Sequence, residues 1–242
     1  MADDALSTAR TNELTAEQVS AFDRDGFVVV TGLYAPSDML EWKRVSQEQL
    51  QRDDQGISAS GVRVWMSDAI HPLLRTAMAD RHVVRMLTQL IGPHVEFLSA
   101  KVVLKNSSTS FASPWHQDYF YWEGSNKLSI WIALDDATVA NGCLMFVPGS
   151  HKKLFTKQVV NNENAFVNRI DPKDLADWPQ QTVELKRGDA VFFHDMAVHS
   201  SHPNTAGVDR WSLISTYRDA SIVDASTVWP TAMVVAGKSA NV

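Results

Sequence analysis

A single cysteine, Cys143, stands in this 242-residue chain. No intramolecular disulfide can form, and a cytoplasmic location is the expectation. Basic runs are missing as well. The 22 Lys and Arg are outnumbered by 28 Asp and Glu, leaving a net charge of −6. Nucleic acid and anionic membrane surfaces are therefore not expected partners. No apolar run approaches the roughly 20 residues that span a bilayer. The opening MADDALSTARTNE is polar and acidic, unlike a signal peptide. No internal repeat is visible. What is present is ordinary globular material, 45% hydrophobic and 21% charged. The length suits one large all-β domain or two small ones.

Along the chain the texture changes once, near residue 93. Residues 1–13 read as disordered. Thr15-x-x-Gln18 is a capping-box pattern for a helix that carries Val19 and Phe22 and stops at Gly26. The run from Phe27 to Thr31 reads as a strand. Helices are expected over Pro36–Gln51, Pro72–Ala79 and His82–Ile91, the last closed by Gly92-Pro93. Asp53 to Gly61 is polar and reads as mobile. Beyond residue 93 the chain reads as strands: Val95–Leu104, Lys127–Leu134, Cys143–Val147, and Arg210–Arg218. Thr182–Lys186, the turn Arg187-Gly188-Asp189 and Ala190–His194 read as a hairpin. In Lys127–Leu134, Ile130, Ile132 and Leu134 fall on one face, with Ser129, Trp131 and Ala133 on the other. Residues 152–181 lack periodicity, hold Asn161-Asn162-Glu163-Asn164 at their centre, and read as a lid over a pocket, with a short helix near Pro172–Trp178. Many short strands after packing helices suggest a sandwich or barrel. The expectation is a mainly β jelly roll, a double-stranded β-helix flanked by helices, forming a single domain over 1–242.

The chemistry concentrates in Pro114-Trp115-His116-Gln117-Asp118. On an extended segment, His116 and Asp118 point to one side and can reach one ion. A third ligand must come from elsewhere, and His199 in Ala197-Val198-His199-Ser200-Ser201 is the best candidate, with Arg210 eleven residues further on. Two histidines and a carboxylate on one side of a metal, with open positions opposite, is the ligand set of non-haem Fe(II) oxygenases.

These residues resemble the phytanoyl-CoA dioxygenase-like family of Fe(II)/2-oxoglutarate oxygenases, from roughly Leu14 to Ala220. The resemblance is carried by Phe22-Asp23-Arg24-Asp25-Gly26-Phe27, the Pro114–Asp118 stretch, Trp131-Ile132-Ala133-Leu134-Asp135-Asp136, Asn141-Gly142-Cys143-Leu144, Val147-Pro148-Gly149-Ser150-His151, Gly188-Asp189, Val198-His199-Ser200-Ser201 and Arg210. It implies that His116, Asp118 and His199 hold Fe(II). Arg210 would take the distal carboxylate of 2-oxoglutarate through its planar, permanently charged fork. Ser201 matches a hydroxyl partner for that carboxylate, and Gln117 and Trp131 match positions near the co-substrate. A residue on the preceding strand, Lys101, Lys105 or Asn106, would help. The implied reaction consumes O2 and 2-oxoglutarate, releases succinate and CO2, and oxidises an unactivated C–H bond of a small organic molecule by hydroxylation or desaturation.

Plainer readings stand beside these. His116 and Asp118 alone are compatible with a surface histidine and a turn aspartate. His194, Asp195 and His202 are local competitors for the third ligand, and a site built from them would favour zinc. The corresponding alternative function is a zinc-holding or non-catalytic jelly roll that binds a small ligand. Alternate members of Tyr119-Phe120-Tyr121-Trp122 suit strand packing, while Tyr119 and Tyr121, together with Trp65 and Met66, are candidates for a substrate pocket. Cys143 reads as a small buried hydrophobe.

Overall fold

The computed structural model describes residues 13–53, 55–160 and 166–241. The disorder expected before Glu13 and the asparagine-rich centre of residues 152–181 lie outside the described residues. In chain order the elements are α1 (Ala16–Asp25), β1 (Phe27–Val30), α2 (Pro36–Arg52), β2 (Val62–Met66), α3 (Pro72–Met78), α4 (Arg81–Ile91), β3 (Val95–Lys105), β4 (Ser113–His116) and β5 (Lys127–Ala133). There follow β6 (Leu144–Phe146), β7 (Gln158–Val159), β8 (Asn168–Arg169), β9 (Gln181–Val183), β10 (Ala190–His194), β11 (His199–Ser201), β12 (Arg210–Asp219) and β13 (Met233–Ala236).

The helices start and stop where local chemistry dictates. Thr15 and Gln18 close the capping box of α1, and Gly26 ends it with φ 82°. Asp80 caps α4 by accepting from His82 N–H at 2.9 Å. Each such cap stabilises by about 1 kcal/mol. Met39, Trp42 and Val45 define the buried stripe of α2, and Leu40 beside them is exposed.

Two antiparallel sheets face each other. Among the described residues, the larger runs β1-β10-β5-β12-β3-β13, with β2 also on β3, and the smaller runs β4-β11-β6-β9. The period of two along the larger sheet's strands divides their side chains. Ile130, Ile132, Phe192 and Leu213 pack under the helices, in one cluster with Met39, Leu74 and Met86. Trp131, Ala133, Val191 and Phe193 point between the sheets, with Leu144 and Phe146 of the smaller sheet. β5 is buried along its whole length for this reason. The expected jelly roll is the observed fold.

Three expectations change. β9 and β10 do not form a hairpin: β9 pairs with β6 in the smaller sheet, and β10 with β1 and β5 in the larger. Between them the chain turns a corner, where Leu185 bridges to Ala137 and the Asp189 carboxylate accepts from the N–H groups of Lys186 and Gly32. Turn chemistry looks alike for a hairpin and a corner; the partner strands decide. β2 and β13 were not anticipated, and both pair with β3. Tyr119–Trp122, read as strand packing, instead follow a 3₁₀ turn over Asp118–Tyr121. Within 152–181, β7 and β8 pair, Pro172–Leu175 is a 3₁₀ turn, and Phe155, Ile170 and Leu175 are buried against Val147 and Val198.

The end of the larger sheet away from Arg210 holds a chain of buried charges. The Lys127 ammonium lies 2.7 Å from the Asp224 carboxylate, which also receives Arg218 at 3.0 Å, and Arg218 reaches Glu96 at 2.6 Å. Burial alone would raise the Asp224 pKa, but hydrogen bonds from Lys127, the Ser226 N–H and Arg218 hold it well below the usual carboxylate range. Asp224 thus ties the segment after β12 onto the sheet. Removing one partner strands the others, so Asp224→Ala is expected to lose about 3–5 kcal/mol in urea unfolding. The depressed folded pKa sets the sign with pH. Asp224's contribution is fully present above the unfolded carboxylate pKa of about 4 and is lost as pH falls through the folded value. Unfolding midpoints measured from about pH 5 to about pH 3 should therefore fall more steeply for the natural protein than for Asp224→Asn; parallel slopes would refute the assignment.

Candidate active site

β4 and β11 are neighbours in the smaller sheet, and their register sets His199 directly opposite His116. Side chains so placed have Cβ atoms about 5 Å apart. The rings lie with centroids 4.2 Å apart. Asp118 joins them because the strand ends at His116 and the chain winds into the 3₁₀ turn, which carries its carboxylate back to the histidines. One oxygen lies 3.5 Å from His116 Nε2 and 3.9 Å from His199 Nε2. One ligand atom from each residue falls within 4.8 Å of the others, and all three residues are buried.

The donor set fits a divalent iron. His116 Nδ1 lies 2.8 Å from the Pro114 carbonyl and His199 Nδ1 2.9 Å from that of Ala197. With the proton held at Nδ1, each Nε2 lone pair faces the gap. Burial, and then the neighbouring His116, push the His199 pKa down to about 4. Burial opposes ionisation of Asp118, yet Lys101 at 3.8 Å, and then the neighbouring His116 and His199, keep its carboxyl well below the usual range. Among the described residues no fourth His, Cys, Asp or Glu joins the group. A structural zinc site is closed by four such ligands; this one is open. The competitors lie elsewhere: His194 Nδ1 is 3.1 Å from the Asp195 carboxylate, and His202 Nε2 is 3.2 Å from the Thr182 hydroxyl.

Beside the triad lies a buried positive pole. Arg210 opens β12 directly opposite Lys105 of β3. Arg210 Nη1 donates to the Ser212 hydroxyl at 2.9 Å and Nη2 to the Gly142 carbonyl at 3.1 Å, while Nε has no partner. Its guanidinium carbon stands 5.2 Å from the Trp131 ring centre. Lys105 donates to the carbonyls of Phe111 and His202 at 2.7 and 2.8 Å. Burial and then the charge of Arg210 lower the Lys105 pKa to about 7, and burial lowers that of Arg210 to about 10. Neither cation forms an ion pair with a carboxylate among the described residues. Like charges directly opposite on adjacent strands repel, so the pole is built for an anion.

Triad and pole line one cavity of about 640 Å³. Of the residues singled out in the sequence, Ser201, Trp131, Lys101, Lys105, Tyr121 and Met66 also line it. Lys101 stands at the Asp118 end and Lys105 at the Arg210 end, while the Asn106 side chain closes a turn on Ser108 and Thr109. The Ser201 hydroxyl is 2.7 Å from that of Ser113.

Like Asn106, three further candidates do not line the cavity. Gln117, between two inward residues, points the other way: its amide donates to the carbonyls of Lys153 and Met196 and accepts from Phe155 N–H. Trp65 alternates with Val64 and Met66, packs in the helix-side core and donates to Asp53 at 3.1 Å. The 3₁₀ turn carries Tyr119 away from the cavity. Sequence reasoning missed Trp122, Phe166 and Trp229, which line the cavity, and the part played by Gly142. Gly142 was visible only as turn material; at φ 95° a Cβ there would lie 2.5 Å from Lys105 Cδ and 2.9 Å from the His202 carbonyl.

Comparison with known proteins gives the same answer as this geometry. An ectoine dioxygenase from Bordetella parapertussis is 26% identical over 233 residues, spanning 84% of this chain and 75% of the relative. The crystal structure of SnoK, a non-heme alpha ketoglutarate dependent carbocyclase from nogalamycin biosynthesis, shares the fold with a TM-score of 0.73 at 23% identity, covering 89% of this chain and 88% of that one. The epimerase SnoN, solved with Fe3+, alpha ketoglutarate and nogalamycin RO, gives 0.71 at 25% identity over 86% and 84%. The chain is an Fe(II)/2-oxoglutarate-dependent dioxygenase built on a jelly roll. The family model described as Phytanoyl-CoA dioxygenase (PhyH) matches residues 22–212, and the chain belongs to that family. Among the described residues no helix is long and apolar enough to cross a membrane.

Gln117 points away from the cavity and into the backbone around it. Its three hydrogen bonds serve buried backbone, so Gln117→Ala is expected to cost about 2–4 kcal/mol of stability. The folded variant should bind 2-oxoglutarate as the natural protein does in calorimetry. A tenfold weaker affinity with unchanged unfolding would return Gln117 to the co-substrate.

Proposed function

We propose that His116, Asp118 and His199 hold Fe(II), that Arg210 and Lys105 receive the distal carboxylate of 2-oxoglutarate, and that the enzyme oxidises an unactivated C–H bond of a small organic molecule. The observation that carries this is the open three-ligand cluster sharing one cavity with two buried cations that lack a counter-charge. The relatives point to small substrates: one is named for ectoine, and SnoN is solved with nogalamycin RO.

With 2-oxoglutarate and O2, Fe(II) supplies the oxidising power for C–H cleavage as 2-oxoglutarate is converted to succinate and CO2. The chain's own residues bind, orient and exclude water. The two Nδ1 hydrogen bonds keep both imidazoles from rotating, and Lys101 holds the Asp118 carboxylate in its ionised form. Trp131 supports the Arg210 guanidinium from its ring face. Ser212 and Gly142 aim that guanidinium, leaving Nε for the incoming carboxylate. Ser201, in the same cavity, supplies a hydroxyl near that end. No side chain is required as a general base.

Anaerobic Fe(II) with 2-oxoglutarate should give a visible charge-transfer band that zinc cannot give. Replacing His116, Asp118 or His199 by Ala should abolish the band and turnover with the fold intact; full activity in His199→Ala would move the ligand elsewhere. Arg210→Lys keeps the charge but loses the fork. It should raise the 2-oxoglutarate requirement roughly 10- to 150-fold, the equivalent of about 1.5–3 kcal/mol. An unchanged requirement would assign the carboxylate to another residue.

A further inference from the structure

The cavity is larger than triad and positive pole require. At about 640 Å³ it lies within the ~300–1,000 Å³ of pockets that enclose drug-sized ligands. Its outer half has two walls. On one side are Val62, Val64 and Met66 of β2, alternate residues that all turn inward. On the other are Tyr121, Trp122 and Trp229, with the two indoles 5.5 Å apart and tilted by 55°. Val64 and Val228, at the mouth, remain 38% and 40% exposed. These apolar and aromatic faces line the cavity and meet where Met66 packs against the cluster of Leu98, Trp122 and Trp229.

The charges in the lining are either engaged or, at Arg210 and Lys105, assigned above to the carboxylate of 2-oxoglutarate. Among the described lining residues the cations other than histidine are Arg63, Lys101, Lys105 and Arg210, and the one carboxylate is Asp118. Arg63 is closed onto Asp53 at 2.5 Å and Gln55 at 2.7 Å. Lys101 lies between Asp118 and the Trp122 ring, 5.3 Å from its centre. Lys105 is bound to two carbonyls, and Asp118 is committed to the triad. A substrate ammonium or amidinium would be buried beside no free carboxylate, which is strongly unfavourable. A phosphate-bearing thioester would need free cations to bind its phosphates, and Arg63 is closed.

We infer that the substrate is an uncharged, largely apolar, ring-containing molecule, held between the β2 wall and the Tyr121–Trp122–Trp229 wall. Flat rings suit those indole faces, and burial of apolar surface on both sides supplies the affinity. The inference deepens the dioxygenase reading and rests on it only for where oxidation occurs; the walls bind their ligand without iron.

The test is equilibrium dialysis of the full chain, with and without Fe(II) and 2-oxoglutarate under anaerobic conditions. The probes are progesterone and flavone as neutral ring systems, against L-proline, ectoine and decanoyl-CoA. The neutral rings should bind at least about tenfold more tightly than the charged probes, a difference of about 1.4 kcal/mol. Val64→Asp, at the partly exposed edge, should weaken progesterone binding by about tenfold or more. Tighter binding of L-proline, ectoine or decanoyl-CoA, or no binding of either neutral ring, would overturn the inference. The charge-transfer band read in the same samples separates the two readings. A missing band with progesterone still bound removes the iron assignment and supports the apolar site. A normal band with the charged probes preferred removes the apolar site alone.

Discussion

His116 and His199 converge only in one register of β4 against β11. A slip of a single residue would turn one of them to the other face of the sheet. The register is pinned on both sides of the pair. Ser113 and Ser201 meet through their hydroxyls at 2.7 Å, and the Ser200 hydroxyl donates to the Ser113 carbonyl. Behind the sheet, Gln117 binds three backbone groups and fixes the strand end from which Asp118 turns inward. The residues outside the cluster thus determine that His116, Asp118 and His199 meet.

The larger sheet meets a different demand. Each central strand presents one face to the helices and the other to the cavity, so the period of two separates packing from chemistry. Trp211 and Leu213 hold β12 against the helix-side core, while Arg210, Ser212 and Ile214 turn inward. This rigid backing lets two cations stand opposite each other. Burial weakens the hold of both on their protons, and the charge of Arg210 weakens that of Lys105 further. Such an arrangement costs stability without an anion and gains it when one arrives. At the far end of the same sheet, Lys127, Asp224, Arg218 and Glu96 alternate in sign and satisfy one another. Paired charge there fastens the chain; the charge at the Arg210 end has no carboxylate partner among the described residues.

Much of this was legible before any coordinates. Caps and periodicity located α1 to α4 within a few residues, and alternation divided Ile130 and Ile132 from Trp131 and Ala133. The residues of the metal cluster and Arg210 stood out by type and spacing. The failures have a common physical origin. β9 and β10 look like a hairpin because each is a short alternating run beside a turn, yet their hydrogen bonds go to different sheets. Gln117, Tyr119 and Trp65 were placed near the ligands by proximity in sequence, while the direction of a side chain depends on pleat and turn. β13 lies in a tail with little pattern, and it exists because β3 has a free edge there.

By itself the sequence determined the residue types and spacing of the candidate metal ligands and which face of each strand is apolar, because both follow from residue identity and backbone period. Only the tertiary structure decided which strands are partners, that Lys105 rather than Lys101 stands beside Arg210, and that Trp122, Phe166 and Trp229 share a cavity with the triad. Those outcomes depend on hydrogen-bond register between segments far apart in the chain, and no local pattern encodes register.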